Sequence, residues 1–354
     1  NTAGIAMNVD ASGTTVIGGI FGQGAAGNVI ADNTNEGRIT VRRKTPGDAA
    51  AVAGVGGWAY SDVTGCVNKG EIRYSDEVSA AKAVYVGGVL GRLDIGKGYV
   101  VEGCRNEAPV TLATAQAANN LLGGIAAYAN GENRDTPNTI RNCENRGDVL
   151  ADAPVSDKAK TGQARMGGIC GGTAVFEGNT NYCKVEARGG GKGASEFSIG
   201  GISGMIAHDA TGCRNFGDVL NNTGRENLLA HTGGLFGWAT LAFTITDCAL
   251  DADVVSTTLY NYDGDKGTTA DPAHENSSCA GVLVGRIKSK IEVTVESVKI
   301  YGKLTRTINA EGQTRTIDFT TTVPADNYLY GALQDAASKL IVGQGAITCV
   351  STAK

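Results

Sequence analysis

Cys143-Glu144-Asn145-Arg146-Gly147-Asp148-Val149 is the stretch from which the fold can be read. Cys143, Asn145, Gly147 and Val149 fall on alternate positions, and the charged Glu144, Arg146 and Asp148 fill the places between. A period of two belongs to a strand with one buried face and one wet face. The pattern recurs as Cys66-Val67-Asn68-Lys69-Gly70-Glu71-Ile72 and Cys213-Arg214-Asn215-Phe216-Gly217-Asp218-Val219. Cys104, Cys183 and Cys248 head looser copies, and Asn33 takes the cysteine place in the first.

Ahead of these copies lies a second signature, two glycines between apolar residues: Ile17-Gly18-Gly19-Ile20, Val55-Gly56-Gly57-Trp58, Val86-Gly87-Gly88-Val89, Leu122-Gly123-Gly124-Ile125, Met166-Gly167-Gly168-Ile169 and Ile199-Gly200-Gly201-Ile202. Weaker copies stand at Thr232-Gly233-Gly234-Leu235 and Cys279-Ala280-Gly281-Val282, and Tyr330-Gly331-Ala332-Leu333 reads as a degenerate ninth. The flanking apolar residues are three apart, which a regular strand would point to opposite faces, so the chain must bend at the glycines. Successive copies step by 31 to 50 residues. Units of short strands at that period, without amphipathic helices between them, bury their apolar faces only by stacking on one another.

The sequence therefore predicts an all-β fold, a single-stranded right-handed parallel β-helix of eight or nine coils. Residues 1–304 form the repeat domain, and 305–354 form a divergent last coil and cap with a hairpin around Glu311-Gly312. Leucine-rich repeats are excluded because the Leu-x-x-Leu-x-Leu framework is absent. Stacking predicts a column of reduced, buried, metal-free thiols (Cys66, Cys104, Cys143, Cys183, Cys213 and Cys248) beside a column of amides (Asn35, Asn68, Asn106, Asn145 and Asn215). An inward amide needs partners, and the next coil supplies them. The cysteine spacing follows the coil length and includes no Cys-x-x-Cys, which argues against zinc.

Composition narrows the function. The chain holds 52 glycines but only 6 prolines among 354 residues with no every-third-residue period, which excludes collagen. Its 42% hydrophobic content is too high for a disordered chain, and no run approaches a membrane helix. A formal charge of -5 lacks the basic excess of nucleic-acid binders, so neither nucleic acid nor a transmembrane segment is expected.

The segments Gly18-Gly19-Ile20-Phe21-Gly22, Gly87-Gly88-Val89-Leu90-Gly91 and Gly233-Gly234-Leu235-Phe236-Gly237, each followed by the asparagine signature, resemble the GLUG-type repeats of bacterial surface proteins. The resemblance covers about residues 16–304, with the cysteine column as a departure from the usual form. It implies a secreted or cell-surface β-helix scaffold and brings no catalytic residues. Nothing before Asn1 reads as a signal peptide, so the sequence looks like a mature or truncated chain, and export rests on the resemblance alone.

No convergent catalytic set stands out. Gly22-Gln23-Gly24-Ala25-Ala26-Gly27 spells a dinucleotide fingerprint, but a strand follows it where a helix is required. His208-Asp209 reads as a turn before Cys213. Counted from the cysteine column, Glu36, Lys69, Glu107, Arg146, Glu186, Phe216 and Asp251 form an outer column of nearly alternating charge, a neutralised face. Asp218 and Asp253 should be neighbours beside Asp251, and such carboxylates suit acid/base glycoside chemistry. The long insertion 256–278 carries Tyr260, Tyr262, Asp263 and Asp265, a set suited to a glycan or a calcium-assisted contact, although the bidentate glutamate of an EF-hand is missing. The reading is a non-enzymatic surface scaffold or adhesin-like module that binds a glycan or a cell-surface protein and needs no cofactor. The alternative is an enzyme acting on acidic polysaccharide through Asp218, Asp251 and Asp253.

Overall fold

The computed structural model describes residues 1–10, 12–45, 47–76, 83–94, 96–114, 119–129, 135–152, 163–189, 196–223, 229–257, 278–307 and 313–352. Each coil supplies up to five short strands, and the five faces are numbered here in chain order. Ile5–Val9 opens face one, Thr15–Gly18 face two, Phe21–Gln23 face three, Ile30–Ala31 face four and Thr34–Asn35 face five. The chain then returns to face one at Ile39–Arg43, in parallel register with Ile5–Val9. Faces one, four and five are nine parallel strands deep, and face two is eight deep. Face three consists of two four-stranded stacks joined through Cys170, which bridges Ala126 and Ser203. The protein is a parallel β-solenoid. Among the described residues its only helix is the four-residue Asp326–Leu329.

The alternation read from the sequence sets the columns. Ile39, Ile72, Val110, Val149, Val185, Val219, Val254 and Leu304 stack in face one, all fully buried. In face five the amides form a continuous chain. Nδ2 of Asn35 donates to Oδ1 of Asn68 at 2.9 Å, and the same bond repeats from Asn68 to Asn106, Asn106 to Asn145, Asn145 to Asn181 and Asn181 to Asn215 at 2.7–2.8 Å. Asn1 caps one end by donating to Asn35 Oδ1, and at the other end Asn215 donates to the Gly234 carbonyl. Each interior amide also donates to a carbonyl two residues on, such as Gly70 or Gly147. Every buried donor of the row is thereby satisfied, which is what makes inward asparagine tolerable.

The two sequence signatures turn out to be one device. A Cβ on Gly19, Gly54, Gly88, Gly124, Gly168 or Gly201 would run into the amide of Asn35, Asn68, Asn106, Asn145, Asn181 or Asn215 respectively. The glycine row is therefore the surface against which the asparagine row packs.

The register corrects five readings. Cys183 is not in the thiol column: Thr180 pairs with Glu144 and Arg214, so Asn179 stands between Cys143 and Cys213. Asn179 fits because its Oδ1 accepts from the Cys143 N–H and its Nδ2 donates to the Ile140 carbonyl. Cys183 falls two positions after Asn181, where other coils place Gly70, Gly147 or Gly217, and it is half-buried. Consequently Tyr182, not Glu186, occupies the outer charged column, and it stacks on Phe216 with ring centroids 5.5 Å apart. The second glycine copy is displaced by three residues. Ala53 pairs with Gly18 and Gly87, so the corner of that coil is Ala53-Gly54, and Gly56-Gly57 lie in face three. Gly281 pairs with Gly233, a shift of one residue, and Gly331 lies opposite Gly285 in face three instead of at a corner.

The final segment continues the stack. Lys303–Thr307 pairs antiparallel with Thr314–Asp318, the tip Glu311-Gly312 lying outside the described residues. Tyr330–Leu333, Lys339–Val342 and Ile347–Cys349 then extend faces three, four and five. Phe319 and Leu329 are fully buried under this last layer.

Candidate functional site

At the glycine corner the chain turns so sharply that the outer sides of faces two and three come together. A further glycine row makes this approach possible. A Cβ on Gly91, Gly171, Gly204, Gly237 or Gly285 would crowd face-two backbone such as the amides of Val52, Leu122, Met166, Ile199 and Thr232. Side chains that a solenoid normally holds out in water are here drawn into a re-entrant strip. The register places Tyr85, Leu121, Arg165, Ser198 and His231 on its face-two wall. Gln23, Trp58, Arg92 and Tyr128, and farther along Met205, Trp238 and Arg286, form the face-three wall.

Toward one end, the Arg92 guanidinium carbon lies 4.0 Å over the Trp58 ring, 5.4 Å from Tyr85 and 5.7 Å from Tyr128. Trp58 is itself stacked on Tyr60, with centroids 5.6 Å apart and planes 10° from parallel. Burial, reinforced by Tyr85, raises the Tyr128 hydroxyl above the usual tyrosine range. An open depression of about 490 Å³ beside Tyr60 is lined by Gln23, Gly24, Ala25 and Ala26. The glycine-rich loop that spells the dinucleotide fingerprint thus forms a wall at the mouth of the strip, and the strand Ile30–Ala31 follows it.

Toward the other end lies a buried polar cluster. Arg286 Nη1 is 3.2 Å from His231 Nε2. A guanidinium can only donate, so Nε2 accepts and the ring proton sits on Nδ1, facing Ser198 Oγ at 3.4 Å and Glu196 Oε1 at 3.9 Å. Burial, with Arg286 and Arg165 adding to it, holds the His231 pKa well below the usual value, which keeps the ring neutral. Serine, histidine and a carboxylate meet here without making a nucleophilic triad. The histidine lone pair is spent on Arg286, and its N–H points toward the serine it would have to deprotonate. Trp238 packs against His231 at 5.7 Å, with Arg165 and Lys288 over its ring.

The carboxylates singled out in the sequence are engaged in joining coils. Asp218 Oδ1 accepts the Asp253 N–H at 3.0 Å, and Asp253 Oδ1 accepts the Lys303 N–H at 2.8 Å. Asp251 Oδ2 accepts from Ser351 Oγ and the Thr352 N–H. Burial holds the Asp253 carboxyl above its ordinary range, with Asp218 adding to the shift and the Lys303 N–H opposing it. Asp209 likewise accepts the Thr244 N–H of the next coil. Tyr260, Tyr262, Asp263 and Asp265 lie outside the described residues. Among the described residues no three His, Cys, Asp or Glu side chains gather as metal ligands, and no helix is long and apolar enough to cross a membrane.

The strip escapes sequence reading because its residues vary in type from coil to coil. The usable signal is the position just before the apolar residue of each glycine corner, as in Tyr85-Val86-Gly87, Arg165-Met166-Gly167 and His231-Thr232-Gly233. No protein-family model matches this chain, and no curated protein or solved structure matches it.

Proposed function

We propose that this chain is a non-catalytic binding module, a β-solenoid that presents the re-entrant strip between faces two and three to a glycan. The observation that carries this reading is the run of aromatic and cationic side chains along one corner, from Trp58 through Arg92 and Tyr128 to Trp238. Five coil steps at about 4.8 Å give the strip a length of about 24 Å, enough for a short linear oligosaccharide. Flat rings offer stacking surfaces, and guanidinium groups offer directional donors. The carboxylates that an enzymatic reading needs accept backbone N–H groups at short range, a structural use. The GLUG-type resemblance adds display outside the cell or on a bacterial surface.

A glycan panel probed with the full chain and with Trp58→Ala and Trp238→Ala tests the proposal. Binding by the parent chain and its loss in both variants, with unchanged melts, is the expected result. Release of reducing or unsaturated sugar that disappears in Asp253→Asn would overturn it in favour of an enzyme.

A further inference from the structure

Arg92 differs from the ion-paired arginines of the outer columns. Arg38 pairs with Glu71, Arg141 with Glu102, Arg146 with Glu144 and Arg188 with Glu186, all at 2.6–3.2 Å. Arg92 has no carboxylate partner and no hydrogen-bond acceptor among the described residues, although it is half-buried and its Nε is fully shielded from solvent. The indole N–H of Trp58, the ring directly beneath it, is also buried without an acceptor. The other strip arginines share the shielded Nε, but each has a partner within the protein for a terminal nitrogen: Arg165 donates to Gln163 Oε1 at 2.7 Å and Arg286 bonds to His231. A guanidinium held among three aromatic rings keeps its charge and its forked donor geometry, and the rings fix its plane. The terminal nitrogens of the Arg92 guanidinium are not among the shielded atoms, so they stay open to an oxyanion arriving from outside. The fork matches the two oxygens of a carboxylate or sulfate group, and the aromatic rings around it suit contact with a sugar.

Resting on the reading of the strip as the ligand face, we propose that Arg92, with Trp58, Tyr85 and Tyr128, forms an anion subsite for an acidic sugar of a linear polysaccharide. The oxyanion, carboxylate or sulfate, takes the guanidinium fork, and the sugar ring lies along Trp58 and Tyr60. The remaining cations of the strip, Arg165 and Lys288, then favour a polymer carrying repeated negative charge over a neutral one.

The test measures binding of the full chain to polygalacturonate, dextran sulfate and neutral dextran by affinity electrophoresis at fixed ionic strength. Polyanion binding well above that of dextran is expected, with Arg92→Gln weakening it about tenfold or more. Preference between the two polyanions assigns the oxyanion as carboxylate or sulfate. If Arg92→Gln melts early, Arg92→Lys carries the test, because it keeps charge and stem and removes only the fork, and it should also bind at least severalfold more weakly. Undiminished polyanion binding by a folded Arg92→Lys and Arg92→Gln pair overturns the subsite, as does equal binding of dextran. In either case loss of glycan binding in Trp58→Ala would leave the wider reading of the strip standing. Failure of the parent chain to bind either polyanion also overturns the subsite, and the wider glycan panel then decides the fate of the strip.

Discussion

Replacing Asn145 with alanine should be among the most damaging single changes in this chain. Asn145 sits in the middle of the amide row, fully buried, and its side chain makes four hydrogen bonds. Nδ2 donates to the Gly147 carbonyl and to Asn181 Oδ1, both at 2.8 Å. Oδ1 accepts from Asn106 Nδ2 at 2.8 Å and from the Gly147 N–H at 3.3 Å. At about 0.5–1.5 kcal/mol net for each bond, and with their partners left buried without a replacement, the loss comes to about 4 kcal/mol. Urea unfolding followed by circular dichroism gives the overall change. Stability in a stacked repeat is distributed over coil and interface terms, so amide hydrogen exchange at Gly147 should report the local change directly. Asn145→Leu separates polarity from volume. It fills the space, as Leu250 does beneath Gly234, yet still leaves Asn106 and Asn181 without their neighbour. A loss below about 1 kcal/mol in the alanine variant, or full recovery with leucine, would refute the claim that the amide chain holds the coils together.

The glycine corner gives a paired test: Gly124→Ala places a methyl group against the Gly168 carbonyl and the Asn145 amide and should destabilise strongly, whereas Gly13→Ala, with nothing within 4 Å, should leave the melt unchanged. Alkylation of the native protein followed by mass spectrometry should modify the half-buried Cys183 and Cys349 first, while Cys170 and Cys279, whose thiols burial pushes up to about 12, resist until unfolding. Acid should weaken the fold through carboxylates whose native pKa lies low: Glu186, held at about 2 first by its bonds to Arg188, and Asp335, held at about 2 first by Ser289. Their stabilisation is complete above the ordinary carboxylate range and is lost as pH falls toward about 2, so Glu186→Gln should flatten that part of a pH–stability curve. Asp253, shifted upward, acts in the opposite sense, and Asp253→Asn should preserve the melt at neutral pH while the amide oxygen keeps the Lys303 bond.

The parts of the fold legible in the sequence are those with strict alternation. Faces one and five repeat Asn-x-Gly-x-apolar closely enough that the columns of Ile39 and Asn35 can be counted without coordinates. Counting fails where a single residue type is used as the anchor. Aligning Cys183 by its sulfur misplaces it, because the chain there keeps register through Asn179 and Asn181, which bond the equivalent backbone carbonyls. The glycine copies fail for a related reason. Each turn has a row facing the asparagines and another facing the backbone of face two, and sequence alone cannot tell Gly54 from Gly57.

That ambiguity is also what concealed the strip. With Val55-Gly56-Gly57-Trp58 taken as a corner, Trp58 falls among the apolar residues that follow the bend. With Gly54 aligned to Gly88, Trp58 moves onto the outer wall, in register with Gln23 and Arg92. The steric requirement that places glycine at the corner therefore also creates the strip. Close approach of faces two and three removes water from side chains that elsewhere on the rod remain solvated and neutralise one another, as Lys69 does with Glu36 and Lys184 with Asp148. In the corner, aromatic rings take the place of counter-ions around Arg92. A cation solvated by rings retains more of its capacity to bind an external anion than one already paired with a carboxylate. Side-chain chemistry can thus change from coil to coil at the positions flanking the glycines, while the glycine and asparagine rows stay fixed by packing, which is the arrangement the proposed binding role requires.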